Sequence, residues 1–142
     1  METEPMANTY VGAIDQGTTG TRFMVFDHSG QVVANDYEKH EQIYPNPGWV
    51  EHDPVEIWEN TQEVVQNGLK HAGIDASQLE ALGITNQRET TIVWDKESGK
   101  PVHNALVWQD RRTTDRVEEL EDEDKVDWIR GKTGLEADAY FS

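Results

Sequence analysis

The sequence predicts a mixed α/β fold. Three observations carry that reading. Apolar runs of strand length joined by tight turns open the chain, one long amphipathic helix follows, and further strands then precede two polar helices. The order does not alternate strictly between strand and helix, which argues against a simple doubly wound parallel sheet.

The elements can be justified in order. Residues 1–8 are polar and acidic and read as a disordered leader. Tyr10-Val11-Gly12-Ala13-Ile14 is a mostly apolar run suited to a buried strand that ends at Asp15. Gln16-Gly17-Thr18-Thr19-Gly20 is turn-rich, and residues 21–26 resume as a second strand. Asp27-His28-Ser29-Gly30 reads as a hairpin turn, with Gly30 able to take positive φ. Residues 31–34 begin a third strand, so the opening is an antiparallel meander.

Residues 41–53 read as a long loop broken by Pro45, Pro47 and Gly48. A helix then starts cleanly: Asp53 suits the N-cap, Pro54 the first turn, and Glu56 the third position of a capping box. Its apolar face is Ile57, Trp58, Thr61 (through its methyl), Val64, Val65, Leu69 and Ala72, and Gly73 followed by Ile74 ends it. Ala81-Leu82-Gly83-Ile84, within residues 79–85, is a further buried-strand candidate. Residues 90–94 read as a strand, Lys96-Glu97-Ser98-Gly99 as a turn and Pro101-Val102 as its return. Residues 104–108 form another short strand, and residues 111–122 a polar helix with a thin apolar face at Val117 and Leu120. Val126-Asp127-Trp128-Ile129 starts a last helix, stopped by Gly131 or Gly134.

Composition narrows the function classes. The chain has 142 residues, with 28 acidic against 12 basic side chains, a formal charge of −16. Such a chain repels nucleic-acid phosphates, so no nucleic-acid partner is expected. Zero cysteines exclude a disulfide framework, a thiolate zinc site and a cysteine nucleophile. No apolar run approaches the ~20 residues of a membrane-spanning helix, and the opening is no signal peptide; the expected location is cytoplasmic. The acid thickens over residues 118–124, which reads as a solvated helix face, with a docking strip for a basic partner as the other reading. Dispersed acid with few lysines is also typical of proteins from salt-loving organisms, whose surface repulsion is screened in concentrated salt. The five histidines (28, 40, 52, 71 and 103) have no metal-ligand spacing and read as solvated or structural. Gly-x-Gly-x-x-Gly and Gly-x-x-x-x-Gly-Lys-Ser/Thr are both absent.

The chemistry-bearing stretch is Asp15-Gln16-Gly17-Thr18-Thr19-Gly20-Thr21-Arg22. Successive turn amides can form a nest for phosphate oxygens, with Thr hydroxyls as further donors. Asp15 suits a hydrated Mg²⁺, which keeps several waters and takes one or two carboxylates, and Arg22 can counter phosphate charge. The competing reading is an ordinary hairpin turn.

Asp-Gln-Gly-Thr-Thr-x-x-Arg between two apolar strands resembles the first phosphate loop of the FGGY carbohydrate kinases, whose fold is that of actin and hexokinase. Residues 42–54, the stretch Gly83-Ile84-Thr85-Asn86-Gln87-Arg88-Glu89-Thr90-Thr91 and residues 105–113 continue the likeness, as do Thr133-Gly134-Leu135 and Tyr140-Phe141-Ser142. The last four stretches are most similar to the glycerol-phosphorylating members. The resemblance covers residues 9–142. It implies an actin/hexokinase-like (ribonuclease H-like) ATPase domain, present here as part of the FGGY N-terminal domain, with the rest of that domain and the second domain lying outside these residues.

The resemblance also implies ATP-dependent phosphorylation of glycerol to sn-glycerol 3-phosphate. Thr18, Thr19, Gly20 and Arg22 would cradle ATP phosphates, and Asp15 would support Mg²⁺ through water. Arg88 and Glu89 would hold the glycerol hydroxyls, Trp108 would wall its C–H side, and the Tyr140 hydroxyl would bond it. Taken alone, Arg88-Glu89 is a surface ion pair, Trp108 a core tryptophan and Tyr140 an ordinary tyrosine. Two departures stand out: Ala139 replaces the usual Pro before this Tyr, and Gly20 the usual Ser. The family's general base is an Asp in a later segment that nothing here matches, so no catalytic base is assigned and these 142 residues alone are expected to be inactive. Another sugar or polyol kinase of the family, or a non-catalytic acidic interaction domain, are the competing functions.

Overall fold

The computed structural model describes residues 9–141, so the leader expected over residues 1–8 lies outside the described residues, as does Ser142. The chain divides into two units, one built from the residues up to His40 with Val55–Gln87, the other from Glu41–Pro54 with the residues from Arg88 onward.

The first unit is a four-stranded sheet with one long helix. Strands β1 (Tyr10–Gln16), β2 (Gly20–Phe26) and β3 (Val32–Lys39) form the expected antiparallel meander. The β2–β3 turn works as read: Gly30 takes φ +81°, and the Asp27 carboxylate accepts from the amides of Ser29 (2.8 Å) and Gln31 (3.0 Å). Helix α1 (Pro54–Ala72) ends as anticipated, with Gly73 at φ +66° donating to the Lys70 carbonyl and Ile74 to that of Leu69. That pair of bonds is the Schellman arrangement, and it satisfies carbonyls left open at the helix end.

The core of this unit is Ile14, Phe23, Val25 and Ala34 from the strands with Val64 from α1. Burying a side chain the size of Phe23 or Val64 contributes roughly 1.5–3 kcal/mol each. Helix and sheet approach so closely at Gly68 that a Cβ there would lie 2.5 Å from Cδ1 of Phe23. Trp58 departs from expectation: it lies at the margin of the apolar face and is 61% exposed, while Ile57, Val64 and Gly68 turn inward.

A 3₁₀ turn follows at Ala76–Gln78, held by a capping box in which Asp75 accepts from the Ser77 amide and the Gln78 side chain accepts from the Asp75 amide. It leads into β5 (Leu79–Thr85), which pairs parallel to β1 and completes the order β3-β2-β1-β5. The expected burial of Ala81-Leu82-Gly83-Ile84 does not occur: β5 is an edge strand, and Ile84 is 69% exposed.

The second unit is less regular. Strand β4 (Glu51–His52), inside the stretch read as loop, pairs antiparallel with β6 (Ala105–Leu106). Residues 90–94 form no strand, only isolated bridges Thr91–Leu106 and Trp94–Pro101. Two short helices follow, α2 (Thr114–Asp122), starting later than read, and α3 (Val126–Thr133), closed by Gly134 at φ +76° rather than by Gly131.

Candidate functional site

The residues expected to cradle phosphate lie together in the first unit. The β1–β2 register sets Asp15 directly opposite Arg22, so both side chains leave the same face of the sheet. Thr85 on β5 and Tyr37 on β3 extend that row on either side. Between the strands, Gly17 donates to the Gly20 carbonyl at 3.0 Å, which closes the turn around Thr18 and Thr19. Asp15, Thr19 and Arg22 are exposed and within reach of a ligand. Below them, Nε2 of the buried His40 lies 2.9 Å from the Thr18 carbonyl, an acceptor only, so this nitrogen donates. The Gly20 substitution also has a steric correlate. A Cβ there would meet the Glu38 carbonyl at 2.4 Å and the Tyr37 hydroxyl at 2.6 Å.

The one carboxylate at Asp15 fits a Mg²⁺ that keeps most of its waters, which needs no cage of protein ligands. Among the described residues no three His, Asp or Glu side chains converge on one point, and Asp15 offers a single exposed carboxylate.

The residues expected to hold glycerol belong to the second unit. Glu89, Trp108 and Tyr140 line one cavity of about 400 Å³, together with Thr91, Leu106, Val117, Leu120 and Ile129. Arg88 is exposed and is not part of that lining. Trp108 and Tyr140 meet edge-on with ring centroids 5.5 Å apart, and Phe141 meets Tyr140 edge-on as well, with centroids 4.9 Å apart. Glu89 has φ +66°, a left-handed conformation that a residue with a Cβ adopts at a cost of about 1–3 kcal/mol. Glu89 thus combines a left-handed backbone with a place on the cavity lining.

Tyr140 is held by a residue that the sequence reading passed over. The Asp138 carboxylate accepts from the Tyr140 amide at 2.7 Å and from the Arg111 guanidinium at 2.8 Å. The Tyr140 amide bond, followed by the Arg111 contact, holds the Asp138 carboxyl below its ordinary range despite burial acting the other way. The Asp-x-Tyr spacing was the available signal, since Asp accepts readily from the amide two residues on. Ala139, in place of Pro, also lines the cavity.

A second missed feature is the ion cluster beside the cavity. The Arg112 guanidinium donates through Nε and Nη2 to both oxygens of Asp110 (2.9 and 2.8 Å) and through Nη2 to Glu51 (2.7 Å). Asp110 also accepts from the Val50 amide (2.7 Å), Glu51 accepts from Asn104 (3.0 Å), and the guanidinium lies 3.8 Å from the Trp49 ring centroid. Glu51 and Asp110 are buried. Burial alone would raise their pKa values, but the hydrogen bonds and charge of Arg112, with Asn104 on Glu51 and the backbone amides on Asp110, outweigh it and leave both lowered. Bonding to Asp110 and then Glu51 raises that of Arg112 against the same desolvation.

The N-terminal-domain profile of the FGGY family of carbohydrate kinases matches residues 10–142. The chain belongs to that family. This FGGY domain is 88% identical over 137 residues to a glycerol kinase of Haloarcula marismortui, and 74% identical over 137 residues to one of Halobacterium salinarum. Each match covers 96% of this chain and 27% of the relative, so the chain spans about a quarter of the length of the curated relatives it matches. Its structure superposes on the crystal structure of Plasmodium falciparum glycerol kinase with ADP at a TM-score of 0.87 and 36% identity, over 99% of this chain and 28% of that one. A gluconate kinase from Lactobacillus acidophilus shares the fold at a TM-score of 0.85 and 23% identity, over 94% of this chain and 26% of that one. The architecture is therefore part of the actin/hexokinase-like N-terminal domain of an FGGY kinase. Among the described residues no helix is long and apolar enough to cross a membrane.

Proposed function

We propose that this chain is the N-terminal part of a glycerol kinase that transfers the γ-phosphoryl group of ATP to glycerol, giving sn-glycerol 3-phosphate in the cytoplasm. The observation that carries the reading is the cavity lined by Glu89, Trp108 and Tyr140, in a chain 88% identical to a glycerol kinase.

Glycerol is three hydroxyls on a short C–H skeleton, and the cavity offers both kinds of partner. The Glu89 carboxylate accepts from hydroxyls, the Tyr140 phenol donates or accepts, and Trp108 presents an apolar wall. Arg88, adjacent in sequence, supplies donors from outside the cavity lining. Thr18, Thr19, Gly20 and Arg22 hold the nucleotide phosphates, and Asp15 holds Mg²⁺ through water. Bound there, the metal would neutralise phosphate charge. Catalysis of such a transfer is mainly positioning plus electrostatic stabilisation.

The test is turnover by the full-length protein in molar KCl with Mg-ATP, across a panel of glycerol, xylulose and gluconate. Glycerol-dependent ADP release well above that with either sugar substrate is expected. Preference for a sugar would reassign the substrate within the family, and no ADP release with any of them would contradict a kinase.

A further inference from the structure

We propose that Tyr37 is a further phosphate-binding residue of the loop, its hydroxyl occupying the space that a side chain at position 20 would fill. The inference rests on reading residues 15–22 as the phosphate site.

Three observations converge on this one side chain. In the β2–β3 register Tyr37 is directly opposite Arg22, and the guanidinium carbon lies 5.2 Å from the centre of its ring. Its hydroxyl is 3.4 Å from the Thr19 hydroxyl. A Cβ built on Gly20 would fall 2.6 Å from that phenolic oxygen and 2.8 Å from the ring carbon bearing it. Tyr37 therefore reaches over Gly20 and touches two of the groups assigned to phosphate, a position open to it because residue 20 has no side chain.

The chemistry suits an anion. A phenolic O–H donates a hydrogen bond to a phosphate oxygen. Thr19 and Tyr37 bring two O–H groups, of which their mutual contact uses one. At 3.4 Å that contact is also longer than the ~2.7–2.8 Å of a strong O–H···O bond, so neither hydroxyl is committed to the other. The side chain is 37% exposed, so a phosphate oxygen can reach the second O–H. The ring face meanwhile steadies Arg22 by cation–π attraction.

The experiment compares Tyr37→Phe, Tyr37→Leu and Arg22→Ala in the full-length kinase, reading KM for ATP, KM for glycerol and melting temperature. Tyr37→Phe keeps the ring, so KM for ATP should rise about 3–10-fold, the loss of one modest hydrogen bond, with KM for glycerol and melting temperature unchanged. Tyr37→Leu also releases Arg22 and should raise KM for ATP further. Wild-type ATP kinetics in Tyr37→Phe, with Arg22→Ala impaired, would overturn the proposal and leave the loop assignment standing. Wild-type kinetics in both would overturn the loop assignment and this proposal together. Equal changes in both KM values with a fall in melting temperature would make Tyr37 merely structural and contradict it.

Discussion

The indole of Trp108 and the phenol of Tyr140 meet edge-on, with centroids 5.5 Å apart and planes inclined by 64°. This contact joins the segment after β6 to the C-terminal turn and makes one wall of the cavity. Edge-to-face packing does not need the phenolic oxygen, so the wall and the hydroxyl can be separated experimentally. Tyr140→Phe in the full-length enzyme should raise KM for glycerol by about tenfold, the scale of one buried hydrogen bond, and leave the melting temperature unchanged. An unchanged KM would remove Tyr140 from the substrate site.

Glu89 is strained, and strain separates stability from function. Glycine adopts φ +66° without the Cβ penalty that Glu89 carries. Glu89→Gly should therefore be more stable than Glu89→Ala by up to about 1 kcal/mol, because both lose the side chain's contacts and only glycine relieves the backbone. Glu89→Gly should also lose glycerol saturation. Urea denaturation beside glycerol kinetics reads both, and Glu89→Gly less stable than Glu89→Ala would show that the conformation is not strained.

Gly68 inverts the usual helix preference. Alanine is favoured over glycine in a helix by about 1 kcal/mol. Here its Cβ would press into the fully buried Phe23 ring at 2.5 Å. Gly68→Ala should destabilise the first unit by about 1–3 kcal/mol, the cost of overpacking, with thermal melting as the readout. Retained or increased stability would mean that the helix–sheet approach is looser than described.

The Arg112 cluster makes the second unit sensitive to acid. Glu51 and Asp110 have folded-state pKa values below their ordinary 4.5 and 3.8. Between folded and unfolded values the native state binds fewer protons, so their contribution is fully present above the unfolded values and is lost as pH falls through the folded ones. Denaturant midpoints should stay level above about pH 5 and decline below it. Arg112→Met strands two buried carboxylates. It should cost about 3–5 kcal/mol near neutral pH, and because burial then raises both carboxyls, the folded state gains protons as pH falls, so the acid decline should weaken or reverse. An unchanged acid decline would dissociate these groups from the effect.

Local chemistry was legible; distant pairing was not. The hairpin at Asp27 and the end of α1 at Gly73 depend on residues adjacent in sequence, and both formed as read. The antiparallel β1–β2 pairing was read from one tight turn, whereas the Asp15–Arg22 register is seen only in the structure. An apolar run such as residues 81–84 reports that a strand forms, not whether it lies at the sheet edge, so β5 was expected buried and is exposed. Glu51 meets Arg112 across the chain, and nothing near either residue announces the other. The cavity was legible only as separate motifs; of the residues assigned to glycerol, folding brought Glu89, Trp108 and Tyr140 to its lining and left Arg88 outside.

In the proposed function the cavity takes glycerol through Glu89. The most direct measurement is the steady-state kinetics of Glu89→Gln in the full-length enzyme, with glycerol and ATP varied separately. The substitution keeps the side-chain shape and removes the charge that accepts from hydroxyls. KM for glycerol should rise about 10–100-fold, as for a lost charge-assisted hydrogen bond, with KM for ATP unchanged. Unaltered glycerol kinetics would contradict that role for Glu89.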